Sequence, residues 1–191
     1  MTDSEFTKYL GDKLDGKILK QNKNVCYVLS FGADDAMWLL QRGVIITEHN
    51  NSDGTQIGTG VYGPGMMIGV TAVNGESGIV TCKPLKDAVV VGYRTKDMLK
   101  LMNENQEITM YLLKFMCGRF RFLMRSLEMN SLRSISERIH FFEKLIKDFG
   151  DEELMDFSDN VIAEYLGIHP ASISRARKQE YSGKQQKKEL K

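Results

Sequence analysis

A chain of 191 residues with 42% hydrophobic content can bury one large core or two small ones, and its net charge of +1 excludes a uniformly polycationic molecule. The charge is unevenly placed: between Arg175 and Lys191 there are seven Lys or Arg against two Glu, so the residues before them sum to a negative charge. Cys26, Cys82 and Cys117 form no C-x-x-C pair. An odd cysteine count with no signal peptide points to reduced thiols, and without a membrane-length apolar run or a targeting stretch a cytoplasmic protein is expected.

Taken in chain order, residues 6 to 16 carry a weak helical signal. From Lys17 the texture becomes short apolar runs broken by Gly, Asn and Asp: 17 to 20, 25 to 31, 37 to 49, 55 to 63, 66 to 73, 78 to 83 and 88 to 94. Asn51-Ser52-Asp53-Gly54 reads as a hairpin turn, because Asp-Gly accommodates positive φ. Many short strands at this spacing predict a sandwich or barrel.

Between Thr95 and Phe149 there is no Pro, and Gly118 is the single Gly. The spacing predicts one short and two longer helices. Ile108, Leu112, Phe115, Met116, Phe122, Leu123 and Leu127 recur at steps of three and four, too apolar for a helix with only one covered side. Such a helix needs two partners, in a monomer's core or across a dimer. Met102, Met110, Met116, Met124 and Met129 suit adaptable packing better than a cofactor site. Ser134-Ile135-Ser136-Glu137 is a capping box, which places a helix start there and a hinge at 130 to 135.

The stretch from Phe157 to Gln179 has the pattern of a helix-turn-helix. Ser158 caps a first helix whose apolar face is Val161, Ile162 and Leu166; Ala163 is small where two axes approach; Gly167 suits a turn; Pro170 opens a second helix. Ile173 and Ala176 then face inward, leaving Ser172, Ser174, Arg175, Arg177 and Lys178 on other faces. An ordinary helical hairpin with a solvated basic face is the plainer alternative.

On these residues the run IAEYLGIHPASISRARK, 162 to 178, resembles the DNA-reading helices of the Crp/Fnr regulators (catabolite activator and fumarate-nitrate-reduction regulator), whose motif ends in a pair like Ser174-Arg175. The resemblance extends over roughly 17 to 180. Trp38-Leu39-Leu40-Gln41-Arg42-Gly43 resembles an early strand and turn of the family's β-roll, and Gly63-Pro64-Gly65 with Ile68-Gly69 resembles its glycine-rich bend. It implies an α+β chain: a cyclic-nucleotide-binding-like, jelly-roll β-roll at 1–100, a dimerisation helix and hinge at 101–133, and a helix-turn-helix domain with a basic tail at 134–191.

The resemblance also implies function: a homodimeric regulator of transcription on double-stranded promoter DNA, in contact with RNA polymerase, switched by an effector. The dimer seam is expected at Ile108, Leu112, Phe115, Met116, Phe122 and Leu123. DNA contacts are expected from His169, Pro170, Ala171, Ser172, Ser174, Arg175, Arg177 and Lys178. Arg175 is the base reader, because a guanidinium bonds guanine O6 and N7 together; Ser172, His169, Arg177 and Lys178 are assigned to phosphates.

An effector pocket is expected around Gly69, Val70, Val80, Thr81, Leu123 and Met124. Val70 stands where cyclic-nucleotide-binding members carry Glu, and Ile79-Val80-Thr81 offers no guanidinium, so a cyclic phosphate bound there would keep an unpaired charge. The effector is therefore expected not to be a cyclic nucleotide. His49, His140 and His169 lie far apart in sequence, so no metal or cofactor is predicted, and no catalytic constellation marks an enzyme. A metal-dependent enzyme on a cupin-like barrel and a small-molecule sensor whose degenerate DNA-binding end serves protein contacts are the alternatives. Relatives continue into a β-hairpin wing; here EYSGKQQKKELK shows no apolar alternation and reads as a solvated tail, either natural or left by truncation.

Overall fold

The computed structural model describes residues 1–23, 25–50, 56–149 and 157–189. The chain divides into two compact units, Met1–His49 with Thr59–Phe120, and Asn50–Gly58 with Arg121–Lys191. The boundary falls inside the longest helix.

The first unit opens with α1 (Asp3–Lys13), held by a reciprocal capping box: Thr2 Oγ1 accepts from Glu5 N–H, and the Glu5 carboxylate accepts from Thr2 N–H. The strands are β1 (Lys17–Gln21), β2 (Tyr27–Phe31), β3 (Ala36–Arg42), β4 (Ile45–Asn50), β5 (Gln56–Tyr62), β6 (Met67–Ile68), β7 (Gly78–Pro84) and β8 (Ala88–Arg94). They form two four-stranded sheets, β1-β8-β3-β6 and β2-β7-β4-β5. The single run expected at 37 to 49 breaks into β3 and β4 at Gly43, whose φ is +93°. The strand expected over 66 to 73 is a correction: two residues of strand give way to a 3-10 turn at Val70–Asn74, flanked by Gly69 and Gly75, both at φ +79°. Glycine makes that reversal accessible where an L side chain would be strained. The hairpin turn expected at 51–54 lies outside the described residues.

Strand period two sorts side chains into two cores. On β3, Met37 and Leu39 join Phe6, Leu10, Met67, Val91, Tyr93, Met98, Ile108 and Leu112 in a core shared with helices, whereas Trp38 and Leu40 join Leu29, Ile45, Ile68, Cys82, Ala88 and Val90 in another. Trp38 is opposite Gly92 in the β3–β8 register, and its indole N–H donates to the Ser30 carbonyl at 2.6 Å. A Cβ on Gly92 would come within 2.7 Å of the indole ring, so the strand is bare where the ring lies on it.

The helical part follows the expected count: α2 (Thr95–Glu104), α3 (Gln106–Ser131) and α4 (Ile135–Phe149). Gly118 does not interrupt α3. The capping box at the start of α4 is present: Glu137 N–H donates to Ser134 Oγ at 3.4 Å, and Ser134 N–H donates to Glu137 Oε2 at 3.3 Å.

The second unit contains the end of α3, α4, α5 (Asp159–Tyr165) and α6 (Pro170–Glu189). Its core gathers Phe142, Leu145, Ile146, Ile162, Ala163, Tyr165, Leu166 and Ile173, with the Phe142 and Tyr165 rings 4.7 Å apart between centroids. The segment expected as a tail is helical: α6 continues to Glu189, through a stretch rich in Lys, Gln and Glu, which are good helix formers. Lack of apolar alternation excluded a strand there, not a helix.

Candidate DNA-reading face

The turn between α5 and α6 is built by three devices. Ser158 caps α5, its Oγ accepting from Val161 N–H at 3.5 Å. After Leu166, Gly167 takes φ +63°, its N–H donates to Glu164 O at 3.1 Å and Ile168 N–H donates to Ala163 O at 2.9 Å. This is the paired bonding of a Schellman motif, which satisfies the carbonyls a helix end would orphan. His169 then caps α6: its Nδ1 accepts from Ala171 N–H at 3.2 Å, and its carbonyl accepts from Ser172 N–H at 2.8 Å. The imidazole assigned from sequence to a phosphate is thus engaged by its own helix through Nδ1.

Ile173 and Ala176 are buried, as their spacing predicts. His169, Pro170, Ala171, Ser174, Arg175, Arg177 and Lys178 are exposed, and Ser172 is half-buried. The Arg175 guanidinium lies back along its own helix, Nε donating to Ala171 O at 3.2 Å and a terminal nitrogen to Ser172 Oγ at 3.3 Å. Arg177 departs from the expectation that it holds a phosphate: Nε donates to Asp159 Oδ1 at 2.8 Å and a terminal nitrogen to Glu143 Oε1 at 2.9 Å. Two carboxylates engage that guanidinium, one at Nε and one at a terminal nitrogen.

Sequence reasoning missed Arg138, which sits on α4 and donates to the Leu166 carbonyl at 2.7 Å and to Asn130 Oδ1 at 3.3 Å. Burial lowers its pKa from the ordinary value. It fastens the C-terminus of α5 to α4 and to the last turn of α3. No local pattern signals a partner 28 residues away.

The expected dimer seam is corrected by burial. Ile108, Leu112 and Phe122 are buried within their own chain, and Phe115 packs against the helix-side core. Ile108, Leu112 and Phe122 have no area left for a second subunit, whereas Phe115 is half-buried. Of the six, Met116 and Leu123 are exposed, in a stripe on α3 with Met110, Leu113, Phe120, Met124 and Leu127. Leu113, Met116, Phe120, Leu123 and Leu127 alternate steps of three and four residues, the spacing of a coiled-coil seam, and Met110 and Met124 flank them.

Of the residues expected to line an effector pocket, Gly69, Val70, Val80 and Thr81 lie in the first unit, each in its own surroundings. Val70 lines a cleft of about 410 Å³ with Val73, Met102, Leu112, Leu113 and Met116. Gly69 lies against Phe31, Val80 packs on the core that holds Trp38, and Thr81 pairs with Val28 and Glu48 across the sheet. Leu123 and Met124 belong to the second unit. Arg119 of α3 donates to the Val61 carbonyl at 3.0 Å, with its guanidinium carbon 4.2 Å from the Tyr62 ring centre. Among the described residues, no helix is long and apolar enough to cross a membrane.

The sequence matches no family model and no curated protein. Solved structures are similar along most of the chain. FixK2 from Bradyrhizobium japonicum is 19% identical, with 89% of this chain and 86% of that one covered at a TM-score of 0.67. A CRP-family transcriptional regulator from Thermus thermophilus, TTHB099, is 17% identical, with 86% and 85% covered at 0.68. CLP of Xanthomonas campestris, described as a c-di-GMP-responsive global regulator, is 11% identical, with 94% and 92% covered at 0.72. This chain has the fold of the Crp/Fnr transcriptional regulators.

Proposed function

We propose that the chain is a sequence-specific DNA-binding regulator of transcription that works as a homodimer, with Ser174 and Arg175 of α6 meeting the bases. The observation that carries this reading is the second helix of a helix-turn-helix whose buried side is Ile173 and Ala176 while Ser174 and Arg175 are exposed. A basic exposed helix face of this kind fits the major groove, and a guanidinium there can bond guanine O6 and N7 together. Such a role is one of binding, with no catalytic step required of any residue.

The apolar stripe on α3 supports the homodimer, because a contiguous apolar surface of this extent is costly to leave in water. Val80, one of the residues expected to line an effector pocket, packs against a core filled by Trp38, Leu29, Leu40, Ile68 and Cys82. That packing, with Val70 in place of an acidic residue, favours an effector other than a cyclic nucleotide. The shared fold does not name the effector: one similar structure is described as responsive to c-di-GMP and another as complexed with OCPA.

The test is competition binding by full-length protein and Arg175→Ala, using fragments retained from genomic DNA. Loss of a bidentate guanine contact should cost roughly 1–3 kcal/mol of discrimination, about 5- to 150-fold, with sequence-independent binding preserved. Unchanged preference in the variant would remove Arg175 from the reading role.

A further inference from the structure

Arg177 lies two residues beyond Arg175 on α6, so by helical geometry it points roughly 160° away from it and only about 40° from the buried Ile173. A side chain on that bearing cannot enter the groove beside Arg175. Its guanidinium instead turns into the domain and spans two helices, with Asp159 of α5 at 2.8 Å and Glu143 of α4 at 2.9 Å. All three side chains are about 40% exposed, so the ion pairs add little to stability. What they fix is geometry: a planar fork held by two carboxylates on different helices restrains rotation of α6 about its own axis, which a single pair would not.

We propose that Arg177 is a positioning residue: it clamps α6 to α4 and α5 and thereby sets the rotation at which Ser174 and Arg175 are presented to DNA. This rests on the DNA-binding reading above. It assigns Glu143 and Asp159, acidic groups that would by charge alone oppose DNA, to the side of binding.

That sign difference supplies the test. Full-length wild type, Glu143→Gln, Asp159→Asn, Arg177→Met and the Arg177→Met/Glu143→Gln double variant are titrated with a retained genomic fragment and with random duplex over a range of salt. If the acids only repel phosphates, neutralising either one strengthens binding. If they anchor the clamp, Glu143→Gln and Asp159→Asn each weaken binding to the retained fragment by roughly 2- to 5-fold, the scale of one exposed ion pair, while random-duplex affinity does not fall. In the double variant the losses should not add, because each single change already opens the same contact.

A phosphate ligand behaves otherwise: Arg177→Met would lower the salt slope by about 0.9 and weaken retained and random DNA alike. Stronger binding by Glu143→Gln, or that common loss with the reduced slope, overturns the clamp. Amide hydrogen exchange without DNA provides an independent reading. The clamp predicts faster exchange at residues 173 to 178 in Glu143→Gln and Arg177→Met, with α5 unchanged; identical exchange in all proteins overturns it. If wild type retains no DNA fragment, the DNA-binding reading falls, and the exchange result still decides whether Arg177 holds α6.

Discussion

Phe120 is 67% exposed and Leu127 65% exposed on α3, within the stripe that runs from Met110 to Leu127. Phe120→Glu places a charge in the middle of that surface. Burying an apolar side chain of this size is worth roughly 1.5–3 kcal/mol, and with about half of each still exposed some 1 kcal/mol per residue remains to be gained on pairing. Over the seven residues on each of two chains this approaches about 14 kcal/mol, comparable with the roughly 4–15 kcal/mol that association costs, so the proposed dimer has little surplus. Phe120, two-thirds exposed, carries about 1.5 kcal/mol of that gain in each copy, so the substitution removes about 3 kcal/mol across the two and sets like charges near each other, which should raise the dimer dissociation constant about a hundredfold. Sedimentation velocity over a dilution series reads this directly, with circular dichroism confirming that the variant is folded. Leu112→Glu is the contrasting change: Leu112 is buried in its own chain, so the variant should lose folded structure. A Phe120→Glu protein as dimeric as wild type, or a Leu112→Glu protein that stays folded and becomes monomeric, would refute the exposed-stripe assignment.

Gly92→Ala should lower the melting temperature of the first unit, because the new methyl meets the Trp38 indole at 2.7 Å and overpacking of this kind costs roughly 1–3 kcal/mol; an unchanged thermal transition would mean the Trp38 ring yields freely. Thiol titration of native protein should count two of the three cysteines, since Cys26 and Cys117 are exposed and Cys82 is buried. Burial, then the Glu48 carboxylate and the neighbouring Cys26, push the Cys82 thiol up from 9.0 to about 12. The sign follows from the raised value: the stability contributed by the neutral Cys82 thiol is fully present below pH 9 and is lost as pH rises toward 12. Fast labelling of all three thiols at neutral pH in the folded protein would contradict that burial.

How much of this was legible in the sequence depended on whether the signal was local. Gly167, Pro170, Ile173 and Ala176 mark the helix-turn-helix through turn chemistry and period, and the structure keeps each where its spacing put it. Ser134 and Glu137 declared the start of α4 in the same way. The face of α3 left for a partner was not legible, because Ile108, Leu112 and Phe122 satisfy helical spacing as well as Leu113, Phe120 and Leu127 do. Which set meets the chain's own core is settled by packing against elements such as α1, whose Phe6 and Leu10 join the same core as Ile108. The bearing of Arg177 was visible in its offset from Arg175, but its carboxylate partners lie 18 and 34 residues away. Residues 66 to 73 have the apolar content of a strand, but the left-handed Gly69 turns the chain out of the sheet.

The most direct test of the central claim is selection of genomic fragments by the purified full-length protein at two salt concentrations, followed by sequencing of what is retained. The account predicts a two-fold palindrome with half-sites one helical turn, roughly 34 Å, apart, retained at the higher salt. Sequence-blind retention that disappears as salt rises would contradict it, leaving only the electrostatic attraction of a basic helix for phosphates.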